Sequence, residues 1–266
     1  MERSRLAIGV FDSGMGGLTV LRALQQSLPH ETFVYLGDTA RLPYGTKSSL
    51  TVQQYATQMT KVLVEKQIKA LVIACNTATT AALTHLQTLY PELPVIGVVE
   101  PGAFAATQAS KSGRILVLAT ETTIASKAYH QAIHARMPQA SIDDRACSLL
   151  VALAEEGIVN HDIARLTLKH YLQDSNHDDT VLLGCTHFPV FKPLIQELLP
   201  KANVVDSATA TAHALAQALS ARHLLTPAHQ AHTTYLVTDA VERFCRIGET
   251  FLQAPIPSSK VILIDA

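Results

Sequence analysis

Three short polar clusters stand directly after apolar runs, and two of them carry a cysteine. ALVIAC ends at Cys75 and is followed by Asn76-Thr77. TVLLGC ends at Cys185 and is followed by Thr186-His187, and LAIGVF leads into Asp12-Ser13-Gly14. If each apolar run is a strand and each following segment a helix, both thiols lie at helix N-termini, where the helix dipole lowers a thiol pKa and favours thiolate. The unpaired N–H groups of such a first turn bind anions, and Asn76, Thr77 and Thr186 add donors, so the expected ligand carries carboxylates. A single thiol beside a base would suggest acyl transfer through a covalent intermediate. Two thiols in equivalent surroundings suggest another task. One thiolate removes a proton from an sp³ carbon while the other thiol delivers a proton to the opposite face, which inverts the centre. Donors around the carboxylate would stabilise the planar carbanion between the two steps.

The same clusters supply helpers. Among the carboxylates, Asp12 is the candidate neighbour of Cys75. His187, two residues after Cys185, can supply a proton or a positive charge near neutral pH. Glu155 and Glu156, which close CSLLVALAEEG, read as helix-surface residues unless the fold turns one inward. Cys147 and Cys245 fit small buried side chains. No cysteine belongs to a CxxC pair, which speaks against a zinc or thioredoxin-type motif. The loop DSGMGGLT resembles a dinucleotide-binding turn in its place between strand and helix. It has Thr19 where a third glycine would stand, no GK[ST], and Asp12 where a pyrophosphate would sit, so its glycines are read as turn residues holding Asp12 beside the site.

The elements that must position these residues are apolar runs separated by helix-patterned segments. The runs are Leu6 to Phe11, Phe33 to Asp38, Ala70 to Cys75, Val95 to Val99, Arg114 to Thr120, Thr180 to Cys185 and Thr233 to Asp239. They are nearly continuous rather than alternating, as in strands buried on both faces. Leu50 to Gln67 and Ile158 to Gln173 are amphipathic between them. This predicts an α/β fold with mostly parallel sheets flanked by helices. The order also repeats. The two cysteine motifs lie 110 residues apart, and Ile115 follows Ile8 by 107. Two similar lobes follow as the expectation, related by a pseudo-twofold with the site between them. Their expected bounds are residues 1–99 with 208–266, the C-terminal segment returning to complete the first lobe, and residues 100–207.

Of 266 residues, 48% are hydrophobic and 16% charged, enough apolar content for a large core and not that of a disordered chain. A net charge of −1 without basic clusters argues against nucleic acid or anionic membrane as partner. The N-terminal apolar run is broken by Asp12 too early for a signal peptide, and no uncharged stretch reaches the ~18 residues of a membrane helix. The expected location is cytoplasmic.

FDSGMGGLTV, GDTARLPYG, ACNTATTAAL, GVVEPGA and LLGCTHFP, in this order and spacing, resemble the glutamate racemases of the aspartate/glutamate racemase superfamily. The resemblance runs from Ile8 to about Phe251. It implies interconversion of L- and D-glutamate without pyridoxal phosphate or metal, supplying D-glutamate for peptidoglycan, by an enzyme that is often a homodimer. Cys75 matches the cysteine that takes the proton from D-glutamate, Cys185 the one that takes it from L-glutamate. Asp12 matches the carboxylate assisting the first and His187 the residue assisting the second. Ser13, Tyr44 with Gly45, Asn76 with Thr77, and Thr186 match positions that hold the substrate's carboxylates and amine, and Thr120 and Thr123 add contacts. Glu155, rather than Glu156, aligns with the glutamate that pairs with the histidine, although Cys147 to Glu155 lacks the prolines common in relatives. Aspartate or another small carboxylate is the alternative substrate. A noncatalytic binder on the same scaffold is the alternative class, one that would have no need of two thiols.

Overall fold

The computed structural model describes residues 3–175, 178–227 and 230–265. Among the described residues ten strands are formed: β1 (Ile8–Asp12), β2 (Phe33–Gly37), β3 (Ala70–Ile73), β4 (Val95–Gly97), β5 (Arg114–Ala119), β6 (Ser141–Ala146), β7 (Thr180–Gly184), β8 (Asn203–Asp206), β9 (Thr233–Val237) and β10 (Val261–Leu263). They make a six-stranded sheet in the order β10-β9-β2-β1-β3-β4 and a four-stranded sheet in the order β6-β5-β7-β8. Every strand pairing is parallel. Helices connect the strands, as parallel pairing requires.

The four-stranded sheet repeats the order of part of the larger one: β6-β5-β7-β8 against β2-β1-β3-β4. In each, the chain leaves the first strand to one side and then crosses to the other. The gaps between β1 and β3 and between β5 and β7 are therefore topological switch points, where open α/β sheets bind ligands beyond the carboxyl ends of their strands. β9 and β10 extend the larger sheet beyond β2, with Phe33 opposite Thr233.

The continuous apolar runs form the central strands. All residues of β1, β3 and β7 are buried, because helices cover both sheet faces. Alternation within β1 divides the core: Ile8 and Val10 face one apolar cluster and Phe11 the other. The first cluster is shared by the two sheets. Ile8, Val10 and Val72 join Leu116, Leu118, Val181 and Phe188 in it. At about 1.5–3 kcal/mol for each fully buried large apolar side chain, this shared core holds the sheets together.

Three strands lack the apolar signal. β6 reads SIDDRA and lies at a sheet edge with its residues half-exposed or exposed; β8 and β10 are also edge strands and short. An edge strand solvated on one side needs no hydrophobic run. The run from Val95 to Val99 is divided: β4 ends at Gly97 and Val99 opens the helix Val99–Ala109. The two amphipathic stretches form the helices Ser49–Glu65 and Asp162–Tyr171. Ser48 caps the former, its hydroxyl accepting from the Thr51 N–H at 3.3 Å. Among the described residues no helix is long and apolar enough to cross a membrane.

Candidate active site

Both switch points open on one cavity. It encloses about 340 Å³ of space between atoms, including the part open to solvent. Cys75, Asn76 and Thr77 reach it from the end of β3 and Ser13 from the end of β1. Thr120 reaches it from the end of β5, and Cys185, Thr186 and His187 from the end of β7. Tyr44 and Gly45 line it from the loop after β2, and Glu155 from the end of the helix Ser148–Glu155. Asp12 and Thr123 are buried and stand behind this wall, touching it through hydrogen bonds.

Cys75 is the N-cap residue of the helix Asn76–Leu89, its sulfur accepting from the Ala78 N–H at 3.4 Å. The sequence led us to expect the dipole to lower this thiol's pKa. The structure corrects that expectation: burial, reinforced by the negative charge of Asp12, outweighs the Ala78 N–H and the Ser13 side chain and pushes the thiol up to about 12. Cys75 therefore rests protonated. Burial also raises Asp12, against the attraction of His187 and the N–H groups of Gly17 and Gly14. The Gly14 N–H donates to Asp12 Oδ2 at 3.0 Å.

Cys185 has a different setting. A one-turn 3₁₀ helix, Phe188–Phe191, follows it, and the α-helix Lys192–Leu198 begins only afterwards. The dipole available to Cys75 is largely missing here, and His187 stands in its place. Nδ1 of His187 lies 3.8 Å from Cys185 Sγ and 3.5 Å from Thr186 Oγ1, and Nε2 lies 3.0 Å from Glu155 Oε1. Burial disfavours the imidazolium, but Cys185 and Glu155 more than offset it and carry the ring up to about 10. The histidine is thus charged at neutral pH, donating from both nitrogens. One thiol faces a buried carboxylate and the other a buried cation. That asymmetry is the main electrostatic feature of the site.

Glu155, not Glu156, turns inward. Glu156 is exposed and pairs with Arg243 at 2.9 Å, while the same guanidinium lies 3.9 Å from Glu155 Oε2 and donates to the Glu155 carbonyl at 3.3 Å. The missing prolines therefore do not displace the carboxylate, because the helix Ser148–Glu155 buries Val151, Ala154 and Glu155 on one side. Cys147 and Cys245 pack in or against the shared core.

The glycines of DSGMGG serve close approach. A Cβ on Gly16 would lie 2.5 Å from His187 Nδ1, and one on Gly17 2.5 Å from Asp12 Cβ. Thr19, in the place of the third glycine, donates to the carbonyls of Gly16 at 2.9 Å and Thr186 at 3.2 Å, tying this loop to the Cys185 segment. Thr77, Thr120 and Thr123 form a buried hydroxyl triad with separations of 2.8, 3.2 and 3.0 Å. The Asn76 Nδ2 is buried without a partner, a donor awaiting an acceptor.

Several contributors were not singled out from the sequence. Asp38 accepts from the Tyr44 hydroxyl at 2.5 Å and from Arg41 and Thr238, so Tyr44 spends its hydroxyl on the scaffold and offers the cavity its ring and backbone. Thr122 donates to the carbonyls of Gly45 and Lys47 at 2.9 and 3.0 Å, fastening the same loop from the other sheet. Leu42 and Val151 add apolar wall. The Thr122 contacts arise only from long-range folding. Among the described residues no three His, Cys, Asp or Glu side chains group as a metal site.

Known proteins share this fold. A family model described as Asp/Glu/Hydantoin racemase matches residues 8–215. A glutamate racemase of Geobacter metallireducens is 46% identical over 98% of this chain and 97% of its own length. A glutamate racemase of Francisella tularensis, solved with D-glutamate, superposes with a TM-score of 0.91 at 35% identity, covering 98% of both chains. An isoform from Bacillus anthracis gives 0.93, again at 35% identity and 98% of both. With a family match over most of its length and relatives similar end to end, the chain belongs to the Asp/Glu/hydantoin racemase family, is grouped there with the glutamate racemases, and is a racemase.

Proposed function

We propose that this enzyme interconverts L- and D-glutamate by proton transfer between two cysteines, without a cofactor. The observation that carries this reading is the pair of thiols at equivalent strand ends of two repeated sheets, bounding one small cavity. From L-glutamate, the Cys185 thiolate takes the Cα proton, and the electron pair passes into the α-carboxylate as an enediolate. The Cys75 thiol then gives its proton to the opposite face, producing D-glutamate. The sulfur charges have exchanged, and the reverse reaction restores them. A protonated Cys75 and an imidazolium beside Cys185 support this division of roles. Asp12 assists Cys75, and His187 with Glu155 assists Cys185.

Ser13, the Tyr44-Gly45 backbone, Asn76, Thr77, Thr120 and Thr186 hold the substrate's carboxylates and amine, with Thr123 supporting the hydroxyl triad from behind. Their preponderance of neutral donors suits an amino acid with two carboxylates. Two lobes, residues 1–99 with 208–266 and residues 100–207, embrace it. The product serves peptidoglycan synthesis in the cytoplasm, and the enzyme works as a homodimer.

The test incubates protein freed of metal and pyridoxal phosphate with L-glutamate in D₂O. Chiral chromatography reports D-glutamate, and NMR reports loss of the α-proton. Turnover is expected; no exchange with either enantiomer refutes the function, and exchange with aspartate alone shifts the substrate. Cys75→Ser and Cys185→Ser should each abolish racemisation. Near-normal activity in either would refute the two-thiol scheme.

A further inference from the structure

Asn76 is buried, lines the cavity, and has one amide end engaged and the other free. Its Oδ1 meets the Tyr129 hydroxyl at 2.5 Å, while its Nδ2 has no partner. An amide can lie either way round, so the identity of the group facing the substrate depends on what fixes it. The structure turns the oxygen toward Tyr129, at 2.5 Å, within the O–H···O range, and leaves the nitrogen on the unpartnered side. Tyr129 therefore donates, and an Asn oxygen is the acceptor that suits it.

The ring is built into its place. Tyr129 lies on the helix Ala128–Arg136, buried beside the four-stranded sheet, while Asn76 follows β3 of the six-stranded sheet. A Cβ at Gly184 would meet the Tyr129 ring at 2.8 Å, and one at Gly102 would meet its hydroxyl at 3.0 Å. Two glycines thus clear the space for the phenol. Burial also raises Tyr129 above the ordinary tyrosine range, so it keeps its proton at every working pH.

We propose that Tyr129 is a positioning residue for the reaction: its hydroxyl locks the Asn76 amide in the one orientation that offers N–H to a substrate carboxylate. This rests on the glutamate reading above. The lock also bridges the two sheets, so the donor is aimed only when both halves of the site are in register.

A double-mutant cycle on the full enzyme tests it, using Tyr129→Phe, Asn76→Ala and the pair. Tyr129→Phe keeps the ring and should lower kcat/KM roughly 5- to 30-fold, mostly through KM, because the amide loses its fixed polarity. In the Asn76→Ala background the same change should alter kcat/KM by less than about twofold. If instead the two losses multiply, Tyr129 acts through packing and the proposal fails. Asn76→Asp is an independent check, since it keeps an acceptor for Tyr129 but turns a carboxylate oxygen toward the substrate. Its KM should rise at least ~100-fold, and an unchanged KM overturns the assigned polarity even if Tyr129→Phe does not fold. Melting temperatures and glutamate binding are measured on every protein. A wild-type enzyme that neither binds nor turns over glutamate overturns both readings, whereas an active one with an additive cycle overturns this inference alone.

Discussion

Replacing Glu155 by Gln tests the charge arrangement around Cys185 with little change of shape. Glu155 and His187 are both nearly excluded from solvent, with Oε1 and Nε2 3.0 Å apart, and their contact helps to carry the histidine up to about 10. Glutamine keeps an acceptor at that distance but removes the charge. If only the net elevation were lost, the ring would return to about 6.5 and about 3% of it would be charged at pH 8, a loss of roughly 30-fold. Cys185 supplies part of the elevation, so the expected fall in kcat/KM at pH 8 is roughly 3- to 30-fold, shrinking toward pH 6 where the ring recharges. Enantiomers have equal free energy in water, so kcat/KM must fall equally from L- and from D-glutamate, while kcat and KM are free to divide the loss differently. Initial rates in both directions between pH 6 and 9, read by circular dichroism, give the result. Glu156→Gln is the control, exposed and paired with Arg243, and should stay within about twofold of wild type. A Glu155→Gln enzyme with an unchanged rate and pH profile would refute the argument.

Gly16→Ala would press a methyl group to 2.5 Å from His187 Nδ1 and 2.6 Å from Thr186 Oγ1. A displacement of about 1 Å there should cost on the order of 100-fold in kcat/KM while the melting profile shows a folded protein. Lys69 is buried, ion-paired to Glu31 at 2.5 Å and donating to Ser4, Leu224 and Thr226. Lys69→Met leaves Glu31 unpaired and should lower unfolding stability in urea by about 3–5 kcal/mol, most of it regained on adding Glu31→Gln. His187 is raised in the fold, so the stability it adds is complete below about pH 6.5 and lost as pH rises through about 10. The stability gap between wild type and His187→Asn should therefore narrow from pH 7 to pH 10 in urea titrations, and a gap that widens would contradict the assignment.

The central strands and their polar ends were legible because burial on both faces leaves uninterrupted apolar runs such as ALVIAC and TVLLGC. The repeated strand order was foreshadowed by the matching offsets of the cysteine motifs. β6, β8 and β10 were not legible, since edge strands can be as polar as SIDDRA. At the site, Cys75, Asn76, Thr77, Cys185, Thr186 and His187 announce themselves as polar residues ending apolar runs. Tyr129 and Thr122 do not, because each works through a partner 53 or 77 positions away in the chain. The Cys75 thiol shows the limit most clearly. Its place at a helix N-terminus could be read from sequence, but the sign of its shift depended on burial and on Asp12, which only the fold supplies.

The central claim is that two different thiols handle the outgoing and incoming protons. It is tested most directly by running each direction in D₂O, stopping early, and measuring deuterium at Cα in both product and recovered substrate. A two-thiol site puts solvent deuterium into the product while unreacted substrate keeps its proton, in both directions. Product that retains the original proton, or substrate that exchanges as fast as product forms, would show one group doing both tasks and would contradict the account.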